Sequence, residues 1–417
     1  MTQSFDNADF SVAYYSGNRK TGYIKMVRCV AGRVSVQPLA VEPESALEAA
    51  LKPMLVGVSE DFQVILLDPK SKQLRVQAAF PADAFPAHIY SDPHSDRDWF
   101  MNDGDKATGN DTLNCGDQGS SVTIIENAGG LEAHFLKTIC VGRGHHQAIF
   151  SYPSPERPHV PRRVYVSSLN DGTISVIGND PLDAASYLQV IATIDLCEPD
   201  KEEGAAASVP NKSFPHGLAY SPLTGKLYNL NNGYGTIAVI DPVSNRIEER
   251  IGCKGYSNLI ASPDPRYLIA RGADRKSDPE HVIGKFAVLD VVSKTLVDKL
   301  DLRDVYLSKY FFNPEGSKLY FTTASSGSPE QLRHLKTDVL LVLDMTALPK
   351  LELIKEVKVG SSSSVAFHSV GRRTRLVFSS DPESGALVVL DGGEDTVLDT
   401  IAVTEGVAHS RIWMVAQ

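Results

Sequence analysis

The chain lacks several features that would have assigned it a class at once. Its 417 residues contain no run of about 18 apolar residues, so the sequence predicts no membrane span. It has neither the Gly-x-Ser-x-Gly turn of serine hydrolases nor the glycine-rich phosphate loop that ends in Gly-Lys-Ser/Thr. Positive charge is in deficit: 41 Lys and Arg stand against 51 Asp and Glu, a net charge of −10. That balance disfavours a nucleic-acid partner.

A secretory leader and the common cysteine motifs are also missing. The N-terminus shows no basic segment followed by an apolar one, so a cytoplasmic protein is the default expectation. A mature chain whose leader had been removed would look the same, and would be periplasmic. The five cysteines form no Cys-x-x-Cys-His, which excludes covalent c-type haem. Cys140, Cys197 and Cys253 recur at the same point of successive repeats, which favours small buried hydrophobes over a disulfide framework.

What the sequence does have is a repeated phrase of four short β-type segments, here named a to d. The clearest copy spans residues 214–253, with tight turns after a and after c made of Pro, Asp, Asn and Gly. One copy cannot bury its own apolar face, so the repetition predicts an array of small sheets. The predicted units are residues 9–40 with 407–417, 47–80, 81–142, 143–197, 214–253, 256–302, 306–359 and 363–403.

This pattern predicts an all-β, single β-propeller domain over residues 1–417, with seven or eight four-stranded blades. Eight is preferred, because both N-terminal segments contain b, c and d segments. Residues 44–52 between them have a helix-like pattern. The chain ends on a lone a segment, and we expect it to join the N-terminal blade, which removes the sheet edges of an open array.

Two segments show a family resemblance. RVYVSSLNDGTISVI at residues 163–177 and KLYNLNNGYGTIAVID at residues 226–241 look like the YVTN-type propeller repeat. The superfamily with this repeat also includes amine dehydrogenase heavy chains, haem d1 domains and the propeller of nitrous oxide reductase. The resemblance implies the fold for nearly the whole chain. It does not choose a function, because this fold hosts unrelated chemistries.

Histidines recur where segment a begins, the point at which a propeller strand enters the central channel. His146 and His216 occupy the same repeat position, and His88 and His409 fall within one residue of it. Imidazoles that converge from different blades are suitable metal ligands. The arrangement is similar in plan to the copper centres of nitrous oxide reductase and thiocyanate dehydrogenase, and it implies copper or iron. An organic ligand pocket or a purely structural role remains an alternative for these histidines.

Other candidate residues lie on the same predicted face. In the Gly-Arg-Gly-His-His run at residues 142–146, His145 is a candidate general acid/base and Arg143 a candidate anchor for an anionic substrate. Lys309 lies next to the histidine position, and Asp103 and Asp105 open the first long loop between segments b and c. We expect these three to contact a cofactor.

The sequence therefore supports three functional hypotheses. The first is an enzyme that performs metal- or cofactor-dependent redox chemistry on a small, perhaps anionic molecule at a histidine-lined axial site. The second is a propeller that binds a ligand or another protein without catalysis. The third is a protein that handles a haem d1-like or quinone cofactor without turning it over. The first is preferred by a modest margin.

Overall fold

Short strands dominate the architecture. The computed structural model describes residues 8–17, 22–38, 54–58, 63–67, 74–79, 86–102, 115, 119–126, 134–202, 209–406 and 409–414. In these residues the chain forms eight antiparallel sheets, of which seven have four strands and one has three. Two very short helices accompany them, a 3-10 helix at Pro199–Lys201 and α1 at Pro329–Leu332. The predicted all-β array of four-stranded blades is confirmed.

The sheets are numbered here in chain order. Sheet 1 contains β1 (Phe10–Gly17), β2 (Gly22–Val30), β3 (Arg33–Pro38) and β31 (His409–Met414); sheet 2 contains β4 (Met54–Val58), β5 (Gln63–Leu67) and β6 (Leu74–Ala79). Sheet 3 contains β7 (Pro86–Ser91), β8 (Arg97–Asn102), β9 (Ser121–Glu126) and β10 (His134–Cys140); sheet 4 contains β11 (His145–Ser151), β12 (Arg163–Ser168), β13 (Thr173–Gly178) and β14 (Val190–Asp195). Sheet 5 contains β15 (Pro215–Ser221), β16 (Lys226–Asn231), β17 (Thr236–Asp241) and β18 (Arg246–Gly252); sheet 6 contains β19 (Asn258–Ala261), β20 (Tyr267–Asp274), β21 (Ile283–Asp290) and β22 (Thr295–Arg303). Sheet 7 contains β23 (Leu307–Phe312), β24 (Lys318–Thr323), β25 (Val339–Asp344) and β26 (Glu352–Lys358); sheet 8 contains β27 (Ser364–Val370), β28 (Arg373–Asp381), β29 (Ala386–Asp391) and β30 (Val397–Ala402).

The two ends of the chain meet in sheet 1. Its strand order is β3-β2-β1-β31, and β31 runs antiparallel to β1 with Tyr14 opposite Ile412. The prediction that the C-terminal strand joins the N-terminal blade is thereby confirmed. Sheet 2 shows the predicted b, c and d strands. The helix-like segment predicted at residues 44–52 lies outside the described residues.

Apolar layers between neighbouring sheets hold the array together. Six buried clusters join sheets 3 and 4, 4 and 5, 5 and 6, 6 and 7, 7 and 8, and 8 and 1. The third strands lie inside these layers: every residue of β13 is buried, which is why Thr173–Gly178 reads as an unbroken apolar and small-residue run. The fourth strands are outermost, and β22 alternates exposed and half-buried residues along its length.

The cysteines only partly follow the prediction. Cys197 and Cys253 are free and buried, as expected for small hydrophobes. The expectation for Cys140 was wrong, because it forms a disulfide with Cys115, 25 residues earlier in the chain. Cys140 ends β10 and is exposed, so a partner can reach it from the segment that joins β8 to β9. Cys115 has no place in the repeat pattern, and the sequence therefore offered no sign of this pairing.

The described part of the chain contains no helix that is long and apolar enough to cross a membrane.

Candidate functional site

In each of sheets 3 to 8 the first strand forms one edge of the sheet, and in sheet 1 this edge is formed by β31. We call these seven strands the inner strands. Inner strands of neighbouring sheets contact one another, as β11 does with β15, β15 with β19, and β27 with β31. Gly217 permits one of these approaches, since a Cβ at that position would lie 2.3 Å from the backbone nitrogen of Leu259 in sheet 6. The inner strands therefore line the axis of the array.

Hydrogen bonds link the inner strands near their starts. The Gln147 amide exchanges two bonds of 2.9 Å with the backbone of Leu218, which joins sheets 4 and 5. A guanidinium nitrogen of Arg271 donates to the Leu307 carbonyl at 3.1 Å, and the Lys309 ammonium donates to the Ser363 carbonyl at 3.0 Å. The Ser363 hydroxyl in turn bonds Ser410 at 2.8 Å. Polar side chains thus form the rim of the axial channel.

Bulges mark the start of several inner strands. The pairing register shifts between Pro215 and Gly217 around His216, between His145 and Ala148 around His146, and between Leu307 and Tyr310 around Lys309. A further shift lies between Pro86 and His88. A bulge re-aims the side chains beside it, and it is common next to binding sites. The backbone thus has the same irregularity where sequence analysis placed the site.

The predicted histidines begin inner strands of four different sheets. His88 lies in β7, His145 and His146 in β11, His216 in β15 and His409 in β31. His216 is half-buried. The side chains of the other four lie outside the described residues, as do Asp103 and Asp105 altogether. The metal site therefore stays a prediction, although no group of three or more suitable ligands occurs among the side chains that the structure does describe.

Arg143 is held by a carboxylate. Its Nε lies 2.7 Å from Oδ1 of Asp171, and its backbone nitrogen donates to Oδ2 of the same residue at 2.7 Å. This pair fixes the turn that leads into β11 and engages one edge of the guanidinium. The anchoring role of Arg143 stays a prediction.

Three cationic side chains gather at the same end of the inner strands. Lys309 lies in the bulge of β23 and Arg411 in β31. Arg271 in β20 pairs with Asn258, the first residue of the inner strand β19. None of the three forms an ion pair with a described residue; Arg271 and Lys309 bond only backbone carbonyls. A cluster of cations without carboxylates is a natural anion site.

The surroundings of these cations lower their pKa values. Lys309 and Arg411 are exposed and Arg271 is half-buried, yet neighbouring protein atoms lower the pKa of all three by desolvation. The charge of Arg411 further lowers the pKa of Lys309, so the two groups are close enough to repel.

Two tyrosines from sheets that are not adjacent influence each other. Burial raises the pKa of Tyr90 in sheet 3 and of Tyr310 in sheet 7. The charge of an ionised Tyr310 raises the pKa of Tyr90 further, although sheets 4, 5 and 6 lie between their sheets in chain order. Arg271 lowers the pKa of Tyr310, and both lie about 6.0 Å from the Phe321 ring. Tyr310 therefore lies beside Arg271.

A second polar cluster lies between β20, β22 and α1. Nδ1 of His281 lies 2.6 Å from Oδ1 of Asp304, and its ring centroid lies 4.8 Å from that of His334. His334 is exposed, whereas the side chain of His281 is only 15% exposed, with Asp304 and His334 against its ring.

Sequence reasoning identified Lys309, but it missed Arg411, Tyr90 and Tyr310. The available signal was the repeat phase: Arg411 lies two residues after His409, on the same side of β31. A search for charged residues at that phase, as well as histidines, would have found it.

Comparisons with known proteins give the fold. No family model matches the sequence, and no curated protein is significantly similar to it. Three solved structures resemble the chain at low identity. The periplasmic gluconolactonase of Pseudomonas aeruginosa has 15% identity and a TM-score of 0.54, covering 98% of this chain and 99% of that one. Dihydro-haem d1 dehydrogenase NirN has 16% identity and a TM-score of 0.55, covering 88% and 67%. Hydrazine synthase of Kuenenia stuttgartiensis has 15% identity and a TM-score of 0.51, covering 78% and 89%.

The chain has a β-propeller fold. The resemblance seen in the repeats is thus confirmed at the level of fold. The three neighbours are named for different reactions, so the fold does not select one of them.

Proposed function

We propose that this propeller is an enzyme whose axial channel binds a small anionic molecule. The observation that supports this most directly is the cluster of Lys309, Arg271 and Arg411, three cations that burial destabilises and that no described carboxylate neutralises. Like charges in one channel repel each other, and an anion removes that cost when it binds. Arginine also offers a planar fork that matches a carboxylate or phosphate group.

A bound anion gives a specific role to each of the predicted catalytic residues. His145 begins the inner strand of sheet 4, which places its backbone at the same end of the array. There an imidazole would act as general acid or base for a bound anion. Arg143, fixed by Asp171, would orient the substrate.

Calorimetric titration of the full chain with phosphate and with lactate tests the proposal. We expect saturable binding at one site, weakened at least tenfold in Lys309→Met and in Arg411→Met. The matched control is Lys336→Met: this lysine is exposed and pairs with Glu356 at 2.8 Å, so its loss should leave affinity unchanged. Failure of both anions to bind, or equal affinity in all four proteins, would reject the anion site.

A metal centre on the predicted histidine set is the second candidate. The repeated bulges at His146 and His216 favour it, because they give both residues the same backbone setting. Imidazoles of His88, His146, His216 and His409 fit copper or iron in kind, and such a metal would supply redox chemistry. The neighbouring cations oppose a further positive ion, so the anion site ranks first. Elemental analysis of the purified protein and of a His146→Ala/His216→Ala variant tests this candidate; metal in neither would reject it.

Binding without catalysis is distinguished by turnover. If the chain binds anions at the channel but converts no substrate in a broad screen, the ligand-binding alternative replaces the enzyme.

The cellular compartment is proposed from another observation. The Cys115–Cys140 disulfide favours an oxidising location, such as the periplasm, over the cytoplasmic default. Thiol counting on protein isolated with rapid alkylation tests it: five free thiols in the native host would restore the cytoplasmic interpretation.

A further inference from the structure

We propose that the Lys309 amine is a nucleophile that forms an imine with a carbonyl-bearing anion, of which 2-oxo acids are the simplest class. This inference rests on the proposed function, since the anion site brings such a molecule to Lys309. It adds a covalent step and a substrate class that charge alone does not specify.

The position of Lys309 suits a nucleophile. Its backbone nitrogen donates to the Thr322 hydroxyl at 3.1 Å inside the bulge, which fixes the base of the side chain. Within the described part of the chain, the Nζ atom makes a single hydrogen bond, to the Ser363 carbonyl at 3.0 Å. An amine that donates one proton to a carbonyl is held in place while its lone pair stays available. The side chain remains accessible to solvent from the channel, so a small molecule can approach it.

The surroundings of Lys309 favour the neutral amine. Burial lowers the pKa of Lys309, and the Arg411 guanidinium acts in the same direction because it repels a second positive charge. A lysine next to another cation in a desolvated site is a common form of amine nucleophile. Lys318, in the same sheet, shows the contrast. Its ammonium group lies 2.5 Å from the Asp395 carboxylate, whereas no carboxylate among the described residues pairs with Lys309.

The chemical step needs no oxidant or reductant. The Nζ lone pair attacks the carbonyl carbon and forms the C–N bond, while the π electrons of the carbonyl move to its oxygen. Two protons from nitrogen and the former carbonyl oxygen then leave as one water molecule, giving a neutral imine. Arg411, whose charge acts on Lys309, would hold the carboxylate of the 2-oxo acid. Tyr310 follows Lys309 directly, and burial raises the pKa of its hydroxyl, which therefore stays protonated near neutral pH.

Reductive trapping tests the proposal on the full chain. The protein is incubated with pyruvate and cyanoborohydride at pH 7 to 9, and adducts are counted by intact mass and located by peptide mapping. Lactate has the same charge but no carbonyl, and serves as the ligand control. Lys309→Arg keeps the cation but cannot form the imine, whereas Lys336→Arg removes an exposed, ion-paired lysine. In Arg411→Met the pH midpoint of trapping should move upward, because the repelling charge is gone.

The outcomes separate the two proposals. A single adduct at Lys309 that is lost in Lys309→Arg and kept in Lys336→Arg, while Lys309→Arg still binds lactate, supports the imine. Lactate binding without a pyruvate adduct, or adducts spread evenly over surface lysines, overturns the imine and leaves the anion site intact. No binding of either anion and no adduct overturns both.

Discussion

The ion pair between Lys318 and Asp395 connects two neighbouring sheets, and we expect its loss to destabilise the fold more than the loss of an exposed ion pair. Lys318 lies in β24 of sheet 7, and Asp395 in the turn between β29 and β30 of sheet 8. The Lys318 ammonium is 2.5 Å from Oδ2 of Asp395, and the Tyr320 hydroxyl donates to Oδ1 at 2.7 Å. The Asp395 side chain is only 4% exposed. Water therefore cannot replace these bonds when one partner is changed.

Asp395→Asn isolates the charge. Asparagine keeps the size of the side chain and tolerates the left-handed backbone at this position, where φ is +52°. Its amide accepts from only one of the two donors, so an ammonium or a phenol loses its partner. Breaking one side of a buried ion pair costs about 3 kcal/mol or more. Lys318 keeps the carbonyls of Gly392 and Gly393 at 3.1 and 2.8 Å, which places the expected loss at the low end.

Denaturant unfolding checks this value. Glu352→Gln is the control, because its partner Lys350 is 3.4 Å away and both side chains are more than half exposed; we expect a loss below about 0.5 kcal/mol. Tyr320→Phe alone should cost about 1 kcal/mol. The Tyr320→Phe/Asp395→Asn double variant should lose less stability than the sum of the two single losses, because the two residues share a hydrogen bond. An Asp395→Asn loss no larger than that of Glu352→Gln would refute the reasoning.

Three further predictions concern the turns, the inner strands and the disulfide. Burial alone would raise the pKa of Asp241, but hydrogen bonds from Ser244 lower it to about 2. Asp241→Asn should therefore lower the free energy of unfolding by about 1–2 kcal/mol at pH 7. In acid unfolding curves this difference from wild type should vanish as the pH falls from about 4 to about 2. Gly217→Ala should destabilise the fold by about 1–3 kcal/mol and weaken anion binding, because the added methyl group would lie 2.3 Å from the backbone nitrogen of Leu259. Denaturant unfolding measures the first effect and calorimetric anion titration the second. Reducing the Cys115–Cys140 disulfide should lower the free energy of unfolding by about 3 kcal/mol for its 25-residue separation, and dithiothreitol should leave the melting temperature of Cys115→Ser unchanged.

The fold was largely predictable because its information is local and repeated. The d segments alternate and the c segments are continuously apolar, as outer and enclosed strands require. Even the pairing of β31 with β1 could be foreseen, since a lone a segment at one end complements b, c and d segments at the other. The Cys115–Cys140 pair could not be, because Cys115 lies in an insertion outside the repeat.

Sequence analysis predicted a place for the candidate site but not the charge found there. The phase of His146 and His216 pointed to the starts of the inner strands, where bulges now appear. That Lys309 and Arg411 meet there depends on the packing of sheets 7, 8 and 1, and their desolvation depends on the shape of the channel. Both are tertiary properties that no single repeat encodes. Sequence analysis therefore weighted the histidines and undervalued the cations.

The sign of the charge on the axis is what separates the remaining functional candidates. The chain as a whole has a net charge of −10, yet the described channel side chains Lys309, Arg271 and Arg411 are all cationic. The charge of Arg411 repels that of Lys309, so an anion that binds beside them should raise the melting temperature of the protein. A metal ion on the predicted histidines would add positive charge and would not relieve this repulsion. Phosphate or lactate should therefore stabilise the metal-free protein whichever candidate is correct.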